Sequence, residues 1–196
     1  ISEPIDEQDI LDAFFGSGQH DVDDDSRLLV PDGMTARAYA ADIMRAQLSA
    51  VTGEDYSEAG DAEFTDSLMY NVAPAMSFWG GFYQNTIYRF RPNGLDPESS
   101  IMDIVILRPV PKDGPRPEPV PTMHLDFDEP VTLAGETMGE GLAVVFEQDA
   151  INLPWVQKGL RASRTGTVEF TNYQEQRLRL HHRLIDRLIA EGEAAQ

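Results

Sequence analysis

The hydrophobic pattern of this 196-residue chain changes period at Ser67, and that change sets the fold class. Before Ser67, apolar residues recur at helical spacing. After it they fall in short runs rich in Val, Ile, Phe and Tyr, the residue types of strands. Two helices are expected upstream. The first covers about 4–15: Pro4 suits an opening turn, Ile10, Leu11, Phe14 and Phe15 form an apolar stripe, and Gly16 stops it. The second covers about 35–52, between Pro31-Asp32-Gly33 and Gly53, with Ala40, Ile43, Met44, Leu48 and Val51 on one face. Strands are expected near 67–72, 74–79, 85–91, 100–110, 120–127 and 141–147. Turn chemistry separates them at Pro92-Asn93-Gly94-Leu95-Asp96-Pro97 and in a proline-dense loop from Pro109 to Pro121. Two helices close the chain, at about 148–162 and 170–191. The last carries Leu180, Leu184 and Leu188 on one row and Leu178, Ile185 and Ile189 on the next. Strands in series followed by a long amphipathic helix predict an α+β fold, an antiparallel sheet wrapped around the C-terminal helix.

Length alone favours one domain over 1–196, large enough to bury a core without staples. Its charge is lopsided. Residues 1–66 hold 17 acids and 3 bases, and residues 67–196 hold 17 acids and 12 bases. An acidic, solvated helical portion is therefore expected over 1–66, and a main body of sheet plus closing helices over 67–196. The net charge of −19 argues against nucleic acid as a partner, because binding phosphates needs clustered Lys and Arg. There is no cysteine, hence no disulfide framework, thiolate zinc site or cysteine nucleophile, which fits a reducing cytoplasm. No apolar run approaches the about 20 residues of a membrane helix, and no signal-peptide pattern opens the chain. The chain opens on Ile1, followed by helix-entry residues, so it is expected to begin inside a longer protein.

The segment with most chemical content runs from Val144 to Ser163. There, an apolar strand is expected to deliver Glu147 and Asp149 to the first turn of a helix. Free backbone N–H groups at that point keep a carboxylate ionised and fit to ligate a cation. Phe146 and Trp155 flank the pair as candidate walls of an apolar pocket. The competing reading of Asp149 is an ordinary helix cap. A second candidate is the aromatic run Met76-Ser77-Phe78-Trp79-Gly80-Gly81-Phe82-Tyr83, either core with a glycine-assisted bulge or the lining of a pocket for an aromatic ligand. Of the histidines, His20 reads as a solvated surface residue. His124, on an expected strand, reads as structural or as a polar pocket group, and His181-His182 as helix-surface residues. Asp21, Asp23 and Asp25 alternate as in a calcium loop but lack its glycine and closing glutamate. No phosphate-binding loop, nucleophile elbow or dinucleotide fingerprint is present.

Glu147-Gln148-Asp149, then Gln157, Gly159-Leu160 and Ser163, resembles the C-terminal catalytic segment of Rieske non-haem iron aromatic-ring-hydroxylating oxygenase α subunits. Other pieces agree in order: Tyr70-Asn71-Val72-Ala73-Pro74, Tyr88-Arg89-Phe90-Arg91-Pro92-Asn93-Gly94, Asp96-Pro97-Glu98-Ser99, and the closing helix through Leu180-His181-His182-Arg183-Leu184-Ile185-Asp186. The likeness covers most of 30–190. It implies a helix-grip (Bet v1/START-like) fold. Asp149 would be the carboxylate arm of a mononuclear Fe(II) site, with Asn71, Met76, Phe78, Phe146 and Trp155 around an aromatic substrate. The family's two histidine ligands and its [2Fe-2S] Rieske cluster match no position here. By that likeness they lie upstream of the chain, in an α subunit fed with electrons from NAD(P)H through a reductase or ferredoxin. Family habit implies a homotrimer or α3β3 assembly. Two rival readings stand beside it: a metal-free helix-grip module binding an apolar ligand, and an acidic structural subunit.

Overall fold

The computed structural model describes residues 4–16, 27–82 and 84–195. His20, the Asp21-Asp23-Asp25 run and Tyr83 lie outside the described residues. The fold is α+β, with a four-stranded antiparallel open sheet in the order β1-β2-β3-β4 and a C-terminal helix. In chain order the elements are α1 (Glu7–Gly16), α2 (Ala36–Thr52), α3 (Asp61–Thr65), β1 (Leu68–Val72), β2 (Met76–Gly80), β3 (Thr86–Asn93) and β4 (Asp96–Ile106). A 3-10 turn (Val131–Ala134), α4 (Gly135–Met138), α5 (Glu140–Ala162) and α6 (Gln176–Ala194) follow. The described residues divide into two compact units. One lies within Ile1–Tyr70, Phe78–Tyr88 and Ile104–Val120, the other within Asn71–Ser77, Arg89–Asp103 and Pro121–Gln196.

In the first unit, α1 packs on α2 through Leu11, Ala36 and Ala40, with Phe14, Val30 and Tyr39 against them. Both ends of α2 are chemically fixed. The Thr35 hydroxyl accepts from the Ala38 N–H at 3.2 Å, and Glu7 Oε2 accepts from the Ala36 N–H at 2.6 Å. At the other end Gly53, at φ 75°, turns out of the helix while its N–H donates to the Ser49 carbonyl. A second centre forms around the fully buried Phe64 of α3. Phe82 stacks on it at 5.0 Å, Tyr56 meets it edge-on at 6.2 Å, and the Arg45 guanidinium lies 5.1 Å from its ring centre. Arg45 also pairs with Asp42 and Asp61, so one side chain ties α2 to α3. Gly81, at φ 77°, lets the chain pass close to α3, where the Phe82 N–H donates to the Glu63 carbonyl. A Cβ at Gly81 would stand 2.5 Å from that same oxygen.

In the second unit, Gly94 at φ 63° opens the two-residue turn between β3 and β4, a left-handed conformation that glycine adopts without a Cβ clash. The turn is tied by Asn93 Nδ2 donating to Ser99 Oγ at 3.1 Å and by Ser99 Oγ donating to Asp96 at 2.7 Å. Further along, Arg91 and Arg89 both donate to the Asp103 carboxylate, at 2.7 to 2.9 Å. Helix α5 buries Ala143 and Phe146, and Glu147 Oε2 accepts from the Thr132 N–H at 3.2 Å. Helix α6 is strongly amphipathic yet none of its residues is buried.

Two expected strands are not strands. Residues 120–127 belong to a stretch without helix or strand, and Pro121 removes one of the N–H donors a ladder would need there. Residues 141–147 form the start of α5. The buried positions, Ala143 and Phe146, are three apart and so share one helical face, while Val144 and Val145 between them are exposed. The helix expected at 148–162 is thus the second half of a longer one, and the strand expected over 100–110 is displaced to 96–106.

Candidate functional site

Because α5 starts at Glu140, Asp149 sits in mid-helix, its tenth residue, and not in the first turn. The backbone N–H groups near it are spent within the helix, so neither capping nor the field of a helix start acts on this carboxylate. Asp149 is exposed and has no hydrogen-bond or ion-pair partner among the described residues. Its oxygens are unspent. Phe146 is one turn back on an adjoining side of the helix and is buried. Trp155 is nine residues beyond Phe146, about two and a half turns, which places it on the opposite side of α5. It is exposed, and the Lys158 ammonium lies 4.4 Å from its ring centre. Phe146 and Trp155 therefore do not wall a single pocket.

The strand candidates divide between the two faces of the β1–β2 hairpin, Asn71 on one and Met76 and Phe78 on the other. Asn71 on β1 accepts from Ser77 Oγ at 2.6 Å, which fixes its amide across the turn to β2. Met76 opens β2 and is exposed. Phe78 stacks on Tyr70 at 5.4 Å, and Trp79 Nε1 donates to the Tyr88 hydroxyl at 3.1 Å. Tyr70 and Tyr88, which the sequence reading quotes in motifs but not as pocket candidates, are thus the partners of Phe78 and Trp79. The signal available was the two-residue alternation that puts Phe78 of β2 and Tyr70 of β1 on one face of a hairpin.

No group of three or more His, Asp or Glu side chains converges on a common point among the described residues. A facial Fe(II) site needs two imidazoles and one carboxylate. The described donors do not make up that set. His124 is exposed in the stretch without regular structure, His181 is half-buried on α6, and His182 lies with its ring 5.4 Å from Phe170. Among the described residues no helix is long and apolar enough to cross a membrane. No known protein family, curated protein or solved structure matches the chain.

Proposed function

We propose that the chain is the substrate-binding, iron-ligating portion of a Rieske-type aromatic-ring-hydroxylating oxygenase α subunit. The observation that carries this reading is the α5 helix. It holds Glu147-Gln148-Asp149 and Gln157-Gly159-Leu160 on one continuous element, with the Asp149 carboxylate exposed and uncommitted. In this reading Asp149 contributes the carboxylate arm, and the two histidines and the Rieske cluster come from sequence outside the chain. Fe(II) with O2 supplies the hydroxylating chemistry, with electrons from NAD(P)H through a reductase or ferredoxin. Met76 and Phe78 present thioether and aromatic contacts to an aromatic substrate, and Asn71, on the other face of the hairpin, holds the β1–β2 turn through Ser77. The same reading carries the helix-grip arrangement of sheet and C-terminal helix, a single catalytic domain, trimeric assembly and a cytoplasmic setting. A metal-free module for an apolar ligand is the second reading, favoured by the Tyr70–Phe78 stack on accessible strand surface.

Metal analysis of the protein expressed from its complete reading frame tests the proposal. Iron beyond that of a two-iron cluster, lost in Asp149→Ala with the fold retained, is the expected result. A complete frame that adds no histidine pair and binds no iron refutes the oxygenase and leaves the binding module.

A further inference from the structure

We propose that Asn93 is a site of spontaneous covalent modification, converted through a cyclic imide to aspartate and isoaspartate, with Ser99 restraining the conversion. The inference is independent of the oxygenase reading. Of the five asparagines only Asn93 is followed by glycine; Asn71, Asn85, Asn152 and Asn172 precede Val72, Thr86, Leu153 and Tyr173. A side chain on the following residue shields the backbone nitrogen that must attack, and glycine offers no such shield. The position of the pair in the fold adds to its sequence. Asn93 ends β3, Gly94 begins the turn, and both are exposed. The Gly94 N–H has no hydrogen-bond partner among the described residues. No atom beyond the adjoining residues lies within 4 Å of where a Gly94 Cβ would stand, so the surroundings of the attacking nitrogen are open.

The reaction needs only water. The Gly94 nitrogen gives up its proton and forms a bond to Asn93 Cγ, while the Cγ–Nδ2 bond breaks and Nδ2 leaves as ammonia. Water then opens the ring. Opening at Cγ leaves aspartate, and opening at the backbone carbonyl leaves isoaspartate, with the main chain running through Cγ. The fold restrains the first step. Asn93 Nδ2 donates to Ser99 Oγ at 3.1 Å, and Ser99 Oγ donates to Asp96 Oδ2 at 2.7 Å, so the amide is tied across the hairpin. Attack needs the side chain to turn towards its own backbone, and the tether opposes that rotation. Once formed, the product does not restore the tie. A carboxylate has no N–H to offer Ser99, and it competes with Asp96 for the single hydroxyl proton. Conversion therefore sets a second negative charge beside Asp96, and isoaspartate adds a backbone atom next to a turn of two residues.

Peptide mass spectrometry on the folded chain, held in mildly alkaline buffer and sampled over time, tests the proposal. The mass gain of amide-to-acid exchange is expected at Asn93, in aspartate and isoaspartate forms, well ahead of the other four asparagines. Asn71 is the internal control, since it too is exposed beside a turn and bonded to a serine, but it precedes valine. Ser99→Ala is expected to convert about fivefold faster, the rate equivalent of a net hydrogen bond of about 1 kcal/mol. In urea the tether is gone, so wild type and Ser99→Ala should convert at one rate. Gly94→Ala should stay slower than both in the same urea, where folding of the variant no longer matters. Conversion at Asn93 no faster than at Asn71 overturns the site. Equal folded rates for wild type and Ser99→Ala, or a difference that persists in urea, overturn the tether. Gly94→Ala converting as fast as wild type in urea overturns attack by the Gly94 nitrogen.

Discussion

Phe64→Ala is the substitution whose effect follows most directly from the packing. The side chain is fully buried and touches three partners: the stacked Phe82 ring, the edge of Tyr56 and the Arg45 guanidinium. Truncating a buried Phe to Ala costs about 3–5 kcal/mol through lost transfer energy and the cavity left behind. Aromatic pairs contribute about 0.5–1.5 kcal/mol each beyond area, and with two such pairs Phe64 belongs at the upper end of that range. The fluorescence of Trp79 reports on this unit. In a Trp155→Phe background, which removes an exposed tryptophan from the other unit, it is the sole tryptophan. With a urea slope of about 2 kcal/mol per molar, a loss of about 4 kcal/mol moves the Trp79 transition down by about 2 M. Phe64→Leu keeps most of the apolar volume and is expected to lose about 1–2 kcal/mol. A loss below about 1 kcal/mol for Phe64→Ala would refute the assignment of Phe64 to the centre of this unit.

Three further predictions rest on single contacts. Gly81→Ala meets both the positive φ and a carbonyl at 2.5 Å, and is expected to cost at least about 2 kcal/mol in the same urea assay. Thr35→Ala removes the side-chain cap of α2 and is expected to cost about 1 kcal/mol, with Thr35→Ser near neutral. The hydrogen bonds from Arg91, and then from Arg89, hold the Asp103 carboxyl well below the usual carboxylate range. A carboxyl lowered in the folded state contributes stability that is complete above its unfolded pKa of about 3.9 and is lost as pH falls towards the folded value. In a carbon-detected NMR titration Asp103 should stay ionised where other aspartates protonate, and Arg91→Gln should bring its titration back up towards them.

Legibility in the sequence followed local chemistry. Helix α2 was readable because Pro31-Asp32-Gly33 and Gly53 bracket it with turn residues, and the β3–β4 turn because the run from Pro92 to Pro97 is dense in Pro, Asn, Gly and Asp. The start of α5 was not readable in the same way. Ala143-Val144-Val145-Phe146 is a short apolar run, and periodicity cannot separate a strand from a helix over so few residues. Only the burial of Ala143 and Phe146 but not of the valines between them decides it, and burial depends on the 3-10 turn and α4 nearby. That one misreading moved Asp149 from a helix start to mid-helix and set Trp155 opposite Phe146. The strand candidates fared differently, because alternation along a hairpin fixes which side chains are neighbours, as Tyr70 and Phe78 show.

The division of the residues into two units has a practical consequence for anyone who would take the protein apart. The chain passes from one unit to the other after Tyr70, Ser77, Tyr88, Asp103 and Val120, so each of the four strands contributes one end to each unit. No single cut releases either unit as a continuous stretch of sequence. A truncation between Tyr70 and Met102 takes strand from both, and neither can be grafted or expressed without rewiring the connections. Whatever each unit does, it is inherited, expressed and degraded together with the other.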